Sequence, residues 1–422
     1  MNSDAIRVGE HIHRTSCRLC KSPNMAKFLD LGYVPSAGGF LRQDEISYEK
    51  FYPLEVYFCR DCSLVQVNNA IPNSLLFGKY FYFSSAIKTL VDHFAAFAQE
   101  LTHQFLVPGK SFAVELGSND GVLLKPLQDL GVKCTGVDPA TNVAEFARSR
   151  GIDTINDFFT EKVALEIRDR FGQADVVLSS NSFAHIEDLF DVMKGVKALL
   201  KDDGVFIVEA HYVGTLVAEM QYDMIYHEHL NYYSMTSLSN FFRRFDMEIF
   251  HIRKIPIHAG SMRYYVRNVS RRTEPISKET RQLLNEEQNK RLGSLETYVR
   301  FAHEVESSRK ALIKLLSELK GKGKRIAGYG ASGRATAIMN YCGIDSQYLD
   351  YVVDDAPAKQ GYFTPGTHLQ IRPWSATEAS KPDYVLVFAW SFIDEIKRKR
   401  IDFLNQGGRF IVPLPDVRII SQ

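Results

Sequence analysis

Phe112-Ala-Val-Glu-Leu-Gly117-Ser-Asn-Asp-Gly121, followed by Cys134-Thr-Gly-Val-Asp138, is the stretch that decides the fold. The apolar run ending in Gly117 reads as a buried strand, 118–121 as a turn and 122–130 as a helix. Cys134 to Asp138 then reads as a second strand, with its acid 21 residues beyond Gly117. From about residue 110 short β runs alternate with helical runs, the pattern of an α/β fold that takes ligands at the carboxyl ends of its strands. A glycine at the first strand end lets a ligand approach the backbone, and an acid at the second can hold both hydroxyls of a ribose. Either NAD or S-adenosylmethionine has such a ribose. However, Glu-x-Gly-Ser-Asn-Asp-Gly is not Gly-x-Gly-x-x-Gly, and a pyrophosphate needs a helix N-terminus close by. S-adenosylmethionine has no phosphate; its carboxylate and ammonium can use the loop instead.

Downstream, Ala174-Asp-Val-Val-Leu-Ser-Ser-Asn181-Ser-Phe-Ala-His185 is a further strand opening into polar residues, which makes Asn181 and His185 candidate site residues. Residues 204–209 are another strand, and 245–255 with 261–269 read as a closing antiparallel pair. Between them lies Tyr222-Asp-Met-Ile-Tyr226-His227-Glu228-His229-Leu-Asn-Tyr232-Tyr233-Ser234, with two histidines, a glutamate and four tyrosines in 13 residues. Histidine can remove a proton near neutral pH, and a neighbouring carboxylate can orient or tune it. A second metal is disfavoured because His-Glu-His lacks the i, i+4 spacing of zincins. Adjacent side chains point in different directions, so the sequence leaves open which histidine faces a substrate.

Upstream, Cys17-Arg-Leu-Cys20 and Cys59-Arg-Asp-Cys62 are two knuckles separated by 38 residues. Four thiolates close a tetrahedral zinc site and leave no position for water, so the ion is expected to be structural. In Tyr80-Phe-Tyr82-Phe-Ser-Ser85 the aromatics alternate, as in a half-buried strand. The remaining composition narrows the function. Length, 422 residues, suits two or three domains. Lys+Arg total 51 against Asp+Glu 50, a net charge of +1 that disfavours general polyanion binding. No apolar run reaches the roughly 20 residues of a membrane span, and the polar start shows no signal-peptide core. A cytoplasmic protein that binds neither nucleic acid nor membrane is expected.

In the last third, 277–319 read as one or two long helices, with Ser277 as N-cap. Lys324-Arg-Ile-Ala-Gly328-Tyr-Gly330-Ala-Ser-Gly333-Arg334 follows, a strand, glycine turn and helix with Asp354-Asp355 some 20 residues on. Alone, this is the better dinucleotide fingerprint, and it sustains an alternative function: an NAD-dependent oxidoreductase acting on a nucleotide sugar. Lys359-Gln-Gly361 and Thr364-Pro-Gly-Thr367-His368 add a cation and turn donors. Strands at 384–388 and 409–413 complete a second Rossmann-like sheet, with Trp390-Ser391 at a strand end. A non-catalytic zinc scaffold would have no need for two ligand-binding glycine turns.

The two knuckles, the Glu-x-Gly-Ser-Asn-Asp-Gly loop, Ser180-Asn-Ser-Phe-Ala-His185 and Tyr226-His-Glu-His229, in that order, resemble the S-adenosylmethionine-dependent sugar 3-C-methyltransferases over essentially the whole chain. Those enzymes make branched deoxysugars such as mycarose and tetronitrose precursors. The resemblance implies a zinc-binding module (1–75), a class I methyltransferase domain (76–272), and a helical linker with a C-terminal Rossmann-like nucleotide-binding lobe (273–422). It implies that Glu115, Gly117, Asn119, Asp120 and Gly121 hold the methyl donor, with Asp138 on its ribose. His229 would be the base that takes the C3 proton of a nucleotide-linked 4-keto-6-deoxyhexose, with Glu228 and Tyr226 beside it. Tyr80 would position the sugar or stabilise the enolate, and Asn181 and His185 would line the same cavity. Tyr329, Gly330, Ser332, Arg334, Asp354, Lys359 and His368 would hold the nucleoside diphosphate. This chain has Ser332-Gly333-Arg334 where many relatives have Ala-Lys after Gly-Ala; arginine can pair with phosphate bidentately. TDP is favoured over GDP, and a monomer or small homo-oligomer is expected.

Overall fold

The computed structural model describes residues 5–8, 11–72, 76, 83–271 and 275–421. Tyr80 and Tyr82 lie outside the described residues. The stretch 112–121 folds as read. Strand Phe112–Leu116 is buried along its whole length, the chain turns through Gly117 (φ +68°), Asn119 (φ +50°) and Gly121 (φ +76°), and helix Leu124–Asp129 leads to strand Lys133–Val137. These belong to a seven-stranded sheet whose strands, numbered in chain order, lie 3-2-1-4-5-7-6. Strand Ser261–Asn268 runs antiparallel between Leu200–His211 and Met247–Ile255. The order reverses between Phe112–Leu116 and Ala174–Ser180, and the crevice at that point is where such sheets bind ligands. Apolar layers cover both faces of the sheet.

The C-terminal lobe repeats the principle with six strands in the order 3-2-1-4-5-6, the last antiparallel. Its crevice falls between Ile326–Tyr329 and Tyr384–Val387. Helices Lys278–Asn289 and Leu295–Gly321 precede it, and the Ser277 hydroxyl accepts the Thr280 N–H as N-cap. No helix among the described residues is long and apolar enough to cross a membrane.

The N-terminal module is built on strands Met25–Val34, Tyr52–Cys59 and Val65–Val67, and its sheet takes a fourth strand from far along the chain, Asn231–Tyr232. The sheet therefore grips the segment just after Tyr-His-Glu-His. Arg14 and the fully buried Arg18 pair with Glu187, which follows strand Ala174–Ser180 in the middle of the methyltransferase sheet. On the other side, Glu49 accepts from His368 and the Gly366 N–H of the C-terminal lobe. Asp223 accepts from Arg334 Nε and Trp390 Nε1, both at 2.8 Å, and joins the two sheets directly. Three parts thus meet along one seam, and residues 222–232 lie in it.

Candidate active site

The four knuckle sulfurs lie within 4.8 Å of one another. A tetrahedral zinc with Zn–S bonds of about 2.3 Å needs sulfurs about 3.8 Å apart, so the set fits the ion. Both knuckles use the same turn. The N–H groups of Lys21 and Ser63 donate to Cys17 O and Cys59 O at 2.9 Å, and both residues are left-handed, at φ 62° and 64°. Among the described residues no other group of three or more His, Cys, Asp or Glu side chains has this closeness.

At the crevice of the first sheet a cavity is lined by Leu116, Gly117, Asn119, Asp138, Asn181 and His185, among others, and among the described residues that line it there is no lysine or arginine. Glu115 Oε2 and Asp120 Oδ1, buried beside it, have no hydrogen-bond partner among the described residues. A site rich in acceptors suits a ligand that brings a positive charge, N–H and O–H groups. It does not suit a pyrophosphate. S-adenosylmethionine, with its sulfonium, ammonium and ribose diol, fits that demand. Burial pushes the Glu115 carboxyl up to about 8, with Ser180 pulling the other way. Asp138 anchors the loop, accepting from Asn119 N and Ala140 N at 2.8 and 2.9 Å, and its remaining lone pairs are available to a diol. Asn119 and Asp120 accept from the N–H groups of Ser84 and Ser85, which draws those two serines to the loop.

Gly117 has no freedom to be anything else. A Cβ there would stand 2.4 Å from Ser182 Cβ, at a φ of +68° that side chains avoid. Gly117→Ala should lower stability by about 2–4 kcal/mol and abolish cofactor binding, read by denaturant unfolding and calorimetric titration. Unchanged binding would contradict the close approach of ligand and backbone.

The two histidines of Tyr-His-Glu-His part company. His227 is fully buried against the N-terminal module, bonded to Pro53 O at 3.1 Å and edge-on to Tyr52. His229 turns to the seam. Its Nδ1 donates to Met224 O at 2.8 Å, so Nε2 is the bare nitrogen, and the Tyr226 hydroxyl donates to it at 2.9 Å. The His185 ring, in the wall of the cavity, stands edge-on to the His229 ring with centroids 5.0 Å apart. The Tyr226 ring in turn lies against Gly333, where a Cβ would come within 3.5 Å of it. Burial, helped by the neighbouring His185, holds His229 well below the ordinary histidine value, and burial holds His185 at about 4. Both are neutral at pH 7, the form a base requires.

Glu228 reaches the Gly38 N–H of the N-terminal module, and burial pushes it up to about 7. The folded protein therefore resists ionising it. Whatever stability the neutral acid carries is lost as pH rises from its ordinary value of 4.5 through about 7. Glu228→Gln should leave stability nearly unchanged at pH 5 and raise it by about 2 kcal/mol over the parent at pH 8. Denaturant melts at both pH values check this; a gap that does not depend on pH would contradict it.

In the C-terminal lobe the residues of the glycine turn gather as the sequence suggests. Gly330 (φ +93°) approaches Ala389, and Ser332 caps helix Gly333–Cys342 by accepting from Ala335 N. Asp354 accepts from Ala331 N, while Lys359 donates to Ala331 O and Asp354. Two assigned residues stand apart: the Tyr329 hydroxyl donates to Asp355, and His368 is bonded to Glu49.

Sequence reasoning missed His258 and His211. His258 lines the same cavity on a left-handed pair with Ala259, at φ 49° and 60°. His211 closes strand Leu200–His211, with Nε2 2.7 Å from Gln221. The strand-end rule that found Asn181 could have found His211; His258 sits in a tight link between antiparallel strands, where a sequence shows only a turn.

Three family models match the chain in order: a zinc binding domain over residues 17–77, a methyltransferase domain over 91–252 and a C-methyltransferase C-terminal domain over 256–415. The C-methyltransferase NovU of Streptomyces niveus is 34% identical over 408 residues, covering 96% of each chain. Among solved structures, the CcbJ methyltransferase from Streptomyces caelestis is 16% identical with a TM-score of 0.34, over 42% of this chain and 89% of its own. The magnesium protoporphyrin IX methyltransferase of Synechocystis is 12% identical with a TM-score of 0.33, over 42% and 83%.

Proposed function

Because this chain belongs to the S-adenosylmethionine-dependent C-methyltransferases that carry a zinc binding domain, we propose that it methylates C3 of a nucleotide-linked 4-keto-6-deoxyhexose in branched deoxysugar biosynthesis. One observation carries the reading. His185 in the cofactor cavity, His229, Tyr226 and Gly333 at the nucleotide turn form an unbroken line of contacts. A molecule with a nucleotide at one end and an acidic carbon at the other would span that line.

The 4-ketone acidifies the C3 proton, and His229 Nε2, neutral and unprotonated, takes it. For this the Tyr226 hydroxyl must leave Nε2, and the ketone oxygen is the acceptor it would turn to, where it stabilises the growing negative charge. Asn181 and His185 line the reacting space, and Tyr80 is assigned to the sugar. S-adenosylmethionine, when bound, supplies a sulfonium methyl that the enolate carbon takes, leaving the thioether. His229 then returns its proton to solvent. Holding the carbanion and the methyl in line supplies much of the rate.

Residues 1–75, 76–272 and 273–422 are the three working parts. The turn at Gly330 and Ser332, the N-terminus of helix Gly333–Cys342 and Arg334 suit a diphosphate, with TDP favoured over GDP. Tyr329, Asp354, Lys359 and His368 shape that turn or its rim. The nicotinamide alternative finds little support here. Asp355 is taken up by Lys399 and Arg400, and the family models and the relative that match this chain are methyltransferases, not oxidoreductases. We place the enzyme in the cytoplasm as a monomer or small homo-oligomer.

Mass spectrometry tests the proposal. TDP- and GDP-linked 4-keto-6-deoxyhexoses are each incubated with the protein and S-adenosylmethionine. A gain of one methylene with S-adenosylhomocysteine formed is expected, and fragmentation places the carbon. Methylation at C5, the other carbon the same ketone acidifies, would keep the enolate and overturn the position. No gain with any sugar would overturn the substrate class.

A further inference from the structure

Glu209 is 1% exposed, at the carboxyl end of the fifth strand of the methyltransferase sheet, and nothing above gives it a task. It is the centre of a buried polar system. Arg263 donates to Glu209 Oε2 through Nε and Nη2 at 3.0 and 2.7 Å. Its guanidinium lies 3.3 Å above the Phe97 ring and also reaches Glu100 at 2.9 Å. His93 Nε2 stands 3.1 Å from Glu209 Oε1. The last partner leads to the cavity: Asn181 Nδ2 donates to Glu209 Oε1 at 3.1 Å, and Asn181 N–H donates to Glu209 O at 2.7 Å. Asn181 is held left-handed, at φ 58°.

A carboxylate accepts and does not donate, so it can face only the –NH₂ side of the amide; the flipped amide would set oxygen against oxygen. Glu209 thereby dictates which atom Asn181 turns to the cavity. We infer that Glu209 is a positioning residue for the methyl donor: it fixes the Asn181 amide so that Oδ1 faces the cavity and accepts from the donor's ammonium group. This rests on the cofactor reading above. The surroundings agree: among the described residues that line the cavity there is no lysine or arginine, and Asp120 Oδ1 is a further buried acceptor with no partner among the described residues. Paired with Arg263 and bonded to His93, Glu209 keeps its charge despite burial, which makes the orientation one-way.

A double-mutant cycle tests this, with calorimetric titration of S-adenosylhomocysteine, whose amino acid end is that of the methyl donor. Glu209→Gln can donate as well as accept, so the Asn181 amide is released, and Kd should rise about tenfold or more. Affinity for the free nucleoside diphosphate should not change. Asn181→Ala, which leaves the Glu209–Arg263 pair intact, should weaken S-adenosylhomocysteine similarly, and the double variant should be no worse than Asn181→Ala alone. Additive losses would overturn the inference, as would a fall in Tm for Glu209→Gln with unchanged Kd. If the parent protein binds no S-adenosylhomocysteine, the cofactor reading fails instead.

Discussion

Turnover of His229→Ala should fall by about 10³-fold or more, while S-adenosylhomocysteine and the nucleoside diphosphate still bind. A positioned general base contributes typically about 10²–10⁴-fold, and three neighbouring histidines are less well placed. His227 is turned away to Pro53 O, and His211 Nε2 is engaged with Gln221. His185, the nearest ring, stands edge-on to His229 and not in its position. Loss of the imidazole also removes its bond to Met224 O, so His229→Gln, which can keep a donor there, separates geometry from basicity. Both variants should fold and both should be slow. Near-parent turnover in a folded His229→Ala protein would remove His229 as the base. The pH profile gives an independent view. Burial holds His229 well below the ordinary histidine value, so the base should stay competent on the acid side of pH 6.

Removing the metal should have the other large effect. Structural zinc is worth about 10–16 kcal/mol in zinc-finger peptides, comparable to or above the whole stability of an ordinary domain. Chelation, or Cys62→Ser, should therefore unfold the N-terminal module. The consequence does not stop there. The module's sheet holds Asn231–Tyr232 as a strand, Pro53 O holds His227, and Gly38 N–H holds Glu228. Arg18, inside the first knuckle, is the buried partner of Glu187, which lines the cavity of the methyltransferase sheet. Proteolysis within 17–70 and loss of activity should run in parallel as metal is withdrawn. A chelated protein with intact circular dichroism and activity would contradict the structural role of the ion. So would lost activity with a fully protected module.

What the sequence made legible follows from local physics. The strand–glycine–turn–acid pattern at 112–138 is written in consecutive residues, and the paired knuckles carry their own spacing. Ser277 as N-cap and the glycine turn at 328–333 were readable for the same reason. The parting of His227 from His229 was not, because it depends on a strand pairing between Asn231–Tyr232 and Val65–Val67, more than 160 residues away. Nor was the fate of Asp355, since Lys399 and Arg400, at the end of helix Ile393–Lys399, come from far along the chain. Helix 122–130 shrinks to Leu124–Asp129 because the turn through Gly121 uses its first residues. Chemistry carried by one segment was readable; chemistry assembled across the seam was not.

The most direct measurement is hydrogen exchange at the sugar without methyl transfer. A TDP-linked 4-keto-6-deoxyhexose is placed in heavy water with the protein and S-adenosylhomocysteine, and C3 is followed by NMR. With the parent protein, deuterium should enter at C3 far faster than in buffer, and His229→Ala should reduce the uptake to near the buffer rate. No uptake with the parent, or equal uptake with both, would contradict deprotonation by His229.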